Sequence, residues 1–217
     1  MGYVIHPVEG AIEPSYGRDR WATEPGFAIE AASGGPRRKL EMHAFDLAIL
    51  LIRLGVGLTF AAHGAQKAFG WWGGPGLKGW RGAIAGMGFR PVPLFVAVSV
   101  LAELGGGLML AAGILTPAAA AVLVAQSVVI ILKVHWKNGF FNTRGGFEFP
   151  LLLAVAAAAV GVAGPGQTSV DKLLKIEPSA TVRGALLVLG AVGGLGALAL
   201  GWLTAPKAPP KAPAKSS

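Results

Sequence analysis

Three polar residues stand where an apolar environment should exclude them. Arg53, Glu103 and Gln126 each lie about ten residues into a different long hydrophobic run, and at about 1.5 Å of rise per residue each falls near the middle of a bilayer core of roughly 30 Å. A lone Arg, Asp or Glu at the centre of a membrane helix costs about 2.5 to 3.5 kcal/mol on insertion scales, a cost that falls when opposite charges meet inside a bundle. The spacing therefore predicts that Arg53 and Glu103 face each other, with Gln126 hydrogen-bonding one of them. Ser99, Glu103, Gly106 and Gly107 form one small polar stripe at helical spacing, and Arg53, Gly57, Phe60 and Gly64 another. Two kinds of chemistry fit such a cluster: an ion pair that fixes helix register, or a polar pocket that takes a ligand headgroup or relays protons.

A second set of groups gathers where apolar runs end. In "GLTFAAHGAQKAFGWWGGPGLKGW", residues 57 to 80, His63 and Lys67 are one turn apart and three tryptophans follow. The third run ends in "KVHWKNGFF" with Lys133 and His135. The first and third runs must emerge on one side of the membrane, so these residues collect there with Arg90, Trp136, Lys137, Arg144 and Glu148. Most of them read as an interfacial belt of tryptophans and snorkelling cations. His63, Lys67, Lys133 and His135 are also donors that an acid, an anionic ligand or a quinone carbonyl could use. On a regular α-helix Lys133 shares a face with Gln126, whereas His135 points nearly opposite. His63, His135 and Glu148 come from separate segments without a local ligand motif, so no metal site is expected.

The elements that position these groups are apolar helices. Of 217 residues, 53% are hydrophobic and 14% charged, and the mean hydropathy is +0.58; these values indicate an integral membrane protein rather than a soluble domain. Cysteine is absent, which excludes disulfides, thiolate metal sites and cysteine nucleophiles within the chain. The formal charge of +8 sits mostly outside the apolar runs, as expected beside anionic lipid headgroups, and no nucleic-acid-reading module is present. No basic segment followed by an apolar core marks a cleaved signal peptide.

Five apolar runs, near residues 44–66, 92–113, 117–135, 149–163 and 182–203, predict an all-α membrane protein: a four-helix transmembrane bundle over residues 43–176 and a fifth transmembrane helix over 177–204. The fourth run, "FPLLLAVAAAAVGVAG", is short and Ala-rich, a thin or tilted span, with a buried or re-entrant segment as the alternative. "GILTPAAA" is a tight connection, with Gly113 as helix stop and Pro117 in the first turn of the next helix, so the second and third helices are antiparallel neighbours. "TSVDKLL" carries Thr168 three residues before Asp171, a capping-box-like start for a short interfacial helix. Gly190 and Gly194 form a GxxxG pair suited either to packing within the chain or to docking on another subunit. Residues 1–42, with four prolines and the cluster Arg37, Arg38 and Lys39, read as an extended arm. Residues 205–217 read as a disordered Lys/Pro tail.

Taken together, "RLGVGLTFAAHGAQKAFGW", "MGFRPVPLFVAVSVLAELGGGLMLAAGILTPAAA", "VHWKNGFF" and "GPGQTSVD" resemble the DoxX family of small bacterial and archaeal membrane proteins, over about residues 46 to 175. The resemblance implies a four-helix membrane bundle, multi-pass in a bacterial cytoplasmic membrane, with Arg53, His63, Lys67, Glu103 and His135 at positions of the family pattern. It also implies a subunit of a quinone-linked redox complex that binds or guides a quinone, with no covalently bound cofactor and no catalytic residue of its own. The alternative is a purely structural subunit of a larger membrane assembly. The N-terminal arm and the Gly190/Gly194 helix are the parts expected to reach other membrane subunits.

Overall fold

A computed structural model describes residues 36–205, and the bundle is built within the unit Ala44–Ser217. Its elements are α1 (Pro36–Phe69), α2 (Gly76–Gly86), α3 (Val92–Ala112), α4 (Thr116–Asn138), α5 (Glu148–Ala163), α6 (Val170–Leu173) and α7 (Ala180–Leu203). Single tight turns lie at Trp71–Gly73 and Asn142–Arg144, and no strand occurs among the described residues. Residues 36–42, expected to end an extended arm, are instead the first turns of α1. Pro36 is preset for a first helical turn, and Arg, Lys, Leu, Glu and Met after it are good helix formers. The rest of the arm, and the tail after residue 205, lie outside the described residues.

Four helices, over His43–Phe69, Val92–Ala112, Thr116–Asn138 and Ala180–Leu203, are long and apolar enough to cross a membrane. The fifth apolar helix, α5, has 16 residues, about 24 Å of rise. It still traverses the bundle, because Glu148 at its start bonds Asn142 just past α4, while Gly161 near its end packs on Ala120 at the start of α4. Leu51, Leu58, Leu101, Leu152, Val188, Leu189 and Trp202 stay exposed around the outside, the arrangement expected of a surface that meets lipid rather than water. This is a multi-pass, all-helical membrane bundle.

Glycines set the closest contacts. A Cβ added at Gly57 would lie 2.6 Å from the Gly107 carbonyl oxygen, one at Gly107 would lie 2.6 Å from the Ala61 nitrogen, and one at Gly64 would strike the backbone of Leu104. These approaches fix α1 antiparallel to α3, since small residues let backbones meet where lipid removes any hydrophobic drive between helices. Gly190 and Gly194 press α7 onto Ala121 and Ala125 of α4 in the same way. The GxxxG pair therefore packs inside the chain; α7 runs parallel to α4, its ridge filling the groove along Ala121 and Ala125. Val56, Phe60, Leu110, Ala119, Ala120, Leu123, Ala157 and Val160 form the main core between α1, α3, α4 and α5.

The turn between α3 and α4 is held by charge. Gly113 takes the left-handed conformation that ends α3, and Pro117 sits in the first turn of α4, as the sequence predicts. Leu115 is also left-handed, with φ 45°, a conformation costing a non-glycine residue about 1–2 kcal/mol. The buried Asp171 carboxylate accepts the Leu115 N–H at 2.6 Å and the Thr116 N–H at 2.7 Å, while its own N–H donates to the Gly113 carbonyl at 2.8 Å. Asp171 thus acts at the start of α4, from outside that helix. The cap of α6 is Ser169, whose Oγ accepts from Lys172 N at 3.1 Å, and not the expected Thr168–Asp171 pair. Outside the membrane, a hydrogen bond and the charge of Lys172 hold the exposed Glu177 carboxyl below its ordinary range.

Gly193 and Gly194 are neighbours on α7, yet a Cβ at Gly193 meets open space and one at Gly194 meets the Ala125 carbonyl and Val128. Gly194→Leu is expected to lower stability in detergent by about 1–3 kcal/mol through overpacking, while Gly193→Leu stays near wild type. Thermal unfolding of the two purified variants side by side checks this, and equal melting temperatures would contradict the packing of α7 on α4.

Candidate functional site

Glu103 is 1% exposed at the middle of α3. Its Oε1 accepts a short hydrogen bond from Lys67 Nζ at the end of α1 and a second, at 2.9 Å, from Gln126 Nε2 of α4. Three helices thus converge on one carboxylate oxygen. Lys67 also lies under the indole of Trp80, 4.3 Å from the ring centroid, a cation–π contact strengthened by burial. Trp80 is fixed in turn: its Nε1 donates to Ser99 Oγ at 2.8 Å, and that hydroxyl donates to the Val96 carbonyl at 3.0 Å. Trp80 comes from α2, whose Ile84 packs with Phe89 and Val96. The sequence reads this segment as an interfacial belt. Trp71 and Trp72 are exposed in keeping with that, but Trp80 is a structural partner of the half-buried Lys67 cation.

The expected pairing of Arg53 with Glu103 does not occur. Arg53 is equally buried, at 1% exposure, but its Nε donates to Leu110 O at 3.2 Å, Nη2 to Ala111 O at 3.0 Å and Nη1 to Pro165 O. The glycine contacts explain the error. Gly57 packs beside Gly107 and Ala111, and Gly64 beside Leu104, so Arg53 is level with the end of α3. It stands about three turns, roughly 16 Å, from the level of Glu103. Depth counted from the start of each apolar run assumes that the runs are flush, whereas α1 is shifted past the end of α3. Arg53 instead donates to the last carbonyls of α3, Leu110 O also accepting the Gly113 N–H, where a cation also opposes the helix dipole. The prediction for Gln126 holds, with Glu103 as its partner.

Lys67 and Glu103 open on a cavity of about 290 Å³. Its walls include Phe60, His63, Trp80, His135, Asn142 and Phe149. Glu103 of the midplane cluster and His63, Lys67 and His135 of the end-of-helix cluster therefore line one cavity, whereas Arg53 lies elsewhere. His63 lies edge-on to Phe149, ring centroids 6.4 Å apart. His135 Nδ1 is 2.6 Å from Gly145 O; a carbonyl only accepts, so Nδ1 carries the hydrogen of this bond. Lys133 does not share this cavity. It borders a smaller pocket of about 50 Å³ with Gln126 and Ser99, its Nζ 5.4 Å from the Phe89 ring centroid.

Regular helical phase would turn His135 away from the cluster, and the reason it does not is local. Both polar helices carry a wide i→i+5 turn, over Leu101–Gly105 around Glu103 and over Ile130–His135. An extra residue in a turn resets the face by about 100° and frees a backbone carbonyl, and such turns recur at functional sites. Nothing in "IILKVH" announces this turn. Glu103 Oε2 is buried and has no hydrogen-bond partner, an atom whose isolation demands an account. Glu148 is engaged elsewhere, its Oε2 accepting Asn142 N at 2.9 Å, and among the described residues no three His, Cys, Asp or Glu side chains group closely enough to hold a metal ion.

The two arrangements predict different energetics. A double-mutant cycle on Lys67→Met and Glu103→Leu is expected to give a coupling of about 0.5–3 kcal/mol, whereas Arg53→Leu and Glu103→Leu are expected to add within about 0.5 kcal/mol. Lys67→Met alone is expected to cost about 3–5 kcal/mol because it strands a buried carboxylate. Chemical denaturation in detergent measures all three, and coupling of Glu103 to Arg53 rather than Lys67 would refute the assignment. No curated protein and no solved structure matches the chain significantly. Residues 48–136 match the family model described as DoxX. That stretch carries Arg53, Lys67, Trp80, Glu103, Gln126 and His135, and through it this membrane bundle is similar to the DoxX family.

Proposed function

We propose that the chain is a subunit of a quinone-linked redox assembly in a bacterial cytoplasmic membrane, and that the cavity beside Lys67 and Glu103 takes the ring of a lipid-soluble quinone-type molecule. The observation that carries this reading is the combination of flat aromatic walls with a buried, incompletely satisfied polar group. Phe60, Trp80 and Phe149 offer faces for a planar ring, while Lys67, Glu103, His63, His135 and Asn142 offer a few placed polar atoms, the usual composition of a small-molecule site. The volume of about 290 Å³ suits a ring headgroup whose isoprenoid tail remains in lipid. Lys67 and Glu103 neutralise each other, so the site favours a neutral ligand over an anion. In this reading the subunit binds and orients the ring, and electron transfer takes place on a partner.

Purification in mild detergent, followed by solvent extraction and mass spectrometry, tests the reading. A quinone at near one equivalent per chain is expected. Leu153→Trp, which fills the cavity without touching its polar groups, should reduce occupancy at least tenfold, and His63→Ala should reduce it severalfold. A folded chain that carries no quinone and binds none when one is added would refute the proposal.

A further inference from the structure

We infer that the small cleft beside Lys133 is a binding site for an anionic phospholipid, its phosphate on the ammonium and one acyl chain along the cleft wall. The cleft is distinct from the cavity beside Lys67 and Glu103, with Trp80, Ile130 and Val134 bordering both. Over its 23 residues α4 rises about 34 Å, slightly more than a hydrocarbon core of about 30 Å. Lys133, five residues before the end of α4 at Asn138, is therefore rooted just inside the hydrocarbon boundary, where an ammonium needs an acceptor or water. Its side chain is exposed, and among the described residues it makes no ion pair and donates no hydrogen bond. What it faces is the ring of Phe89, 5.4 Å from Nζ to the centroid.

A lysine that only snorkels needs no wall, and here a wall is built. Phe89 is buried, stacked against Phe95 with ring centroids 4.6 Å apart, and seated on Gly201 of α7, where a Cβ would strike its ring. Its carbonyl accepts Arg90 Nη1 at 2.8 Å, which anchors a second cation on the residue that Lys133 faces. Thr204 Oγ1, at the end of α7, lies 2.7 Å from Arg90 O and holds the same segment. The cleft itself encloses about 50 Å³ between Ile84 of α2, Phe95 and Val98 of α3, Val129 of α4 and Ala197 of α7. Such a space excludes a ring headgroup and takes a few methylenes. It opens toward lipid, since Val98 and Val134 on its wall are exposed. The polar side chains in that wall are engaged within the chain, Ser99 with Trp80 and Gln126 with Glu103, so Lys133 sets the charge the cleft offers. A zwitterionic headgroup brings its own ammonium to compete for the phosphate. An anionic headgroup leaves the phosphate to the cations of the protein, and its chain then bridges α2, α3, α4 and α7.

The test titrates lipid into the purified full chain in mild detergent and counts bound molecules by native mass spectrometry. The probes are phosphatidylglycerol, phosphatidylcholine with the same acyl chains, and glycerol phosphate as an anion without a chain. Phosphatidylglycerol is expected to bind about fivefold or more tightly than phosphatidylcholine, the size of one cation acting on an anionic headgroup, and glycerol phosphate is expected neither to bind nor to compete. Lys133→Gln should bring phosphatidylglycerol down to the level of phosphatidylcholine, whereas Lys133→Arg should keep the preference. Lys137→Gln, which removes another exposed cation near the end of α4, should keep it too. Equal binding of the two phospholipids, or a loss in Lys137→Gln as large as in Lys133→Gln, means a diffuse basic belt and overturns the inference. Competition by glycerol phosphate means a free-anion site and overturns it as well, as does a wild-type chain that retains no phosphatidylglycerol.

Discussion

A carboxylate held inside apolar helices has to find a cation, and the position of Glu103 dictates much else in this bundle. Lys67 can reach it only if α1 slides past the end of α3, and the glycines at 57, 64 and 107 make that register close-packed. The same slide brings the end of α1 deep enough for Trp80 of α2 to cover the ammonium. Gln126 then ties α4 to the pair. Replacing such a pair with apolar groups is often no worse for stability, so the energetic benefit lies in specificity: an alternative register would leave the charges at 67 and 103 apart in a medium where each costs several kcal/mol.

Charge is used a second time at the ends of helices, where the backbone itself is deficient. Arg53 covers the carbonyls at the end of α3, Asp171 covers the amides at the start of α4, and Arg183 donates to Val162 O and Ala163 O, both at 2.9 Å, at the end of α5. In water such end groups would be solvated, and in lipid each unsatisfied one costs several kcal/mol. Placing cations at C-termini and an anion at an N-terminus follows the direction of each helix dipole. This explains how α5 can be short: Arg183 and the segment before Val170 finish what the 16-residue helix does not span.

The spans, the antiparallel turn at Gly113–Pro117 and a hydrogen bond from Gln126 to one of the buried charges were legible in the sequence, because hydropathy, turn chemistry and single-residue cost are local properties. What was not legible was anything that depends on register between helices. Arg53 and Lys67 are both basic residues on α1, and choosing between them as the partner of Glu103 needs the offset of α1 against α3, which resides in glycine contacts. The wide turns at Leu101–Gly105 and Ile130–His135 were hidden for a related reason. A regular period of 3.6 is assumed whenever faces are counted, and one extra residue is enough to exchange the roles of Lys133 and His135. For Gly190 and Gly194 the motif was correctly seen, but a small-residue pair does not say whose backbone it will meet.

The wide turns also connect stability to the site. Each locally forgoes regular i→i+4 bonding in the helix that carries a cavity-lining polar residue, next to a carboxylate oxygen with no partner. A chain selected only to pack would close that space with an aliphatic side chain from α5, where Leu153 and Phe149 already stand at its wall. Instead the aromatic rings line the space without filling it, and the polar atoms are held from behind: Glu103 by Lys67 and Gln126, Trp80 by Ser99, His135 by Gly145. Groups anchored in this way pay little entropy when a molecule arrives. Preorganisation of polar groups around an open volume is therefore what the register of α1 and α3 achieves beyond close packing.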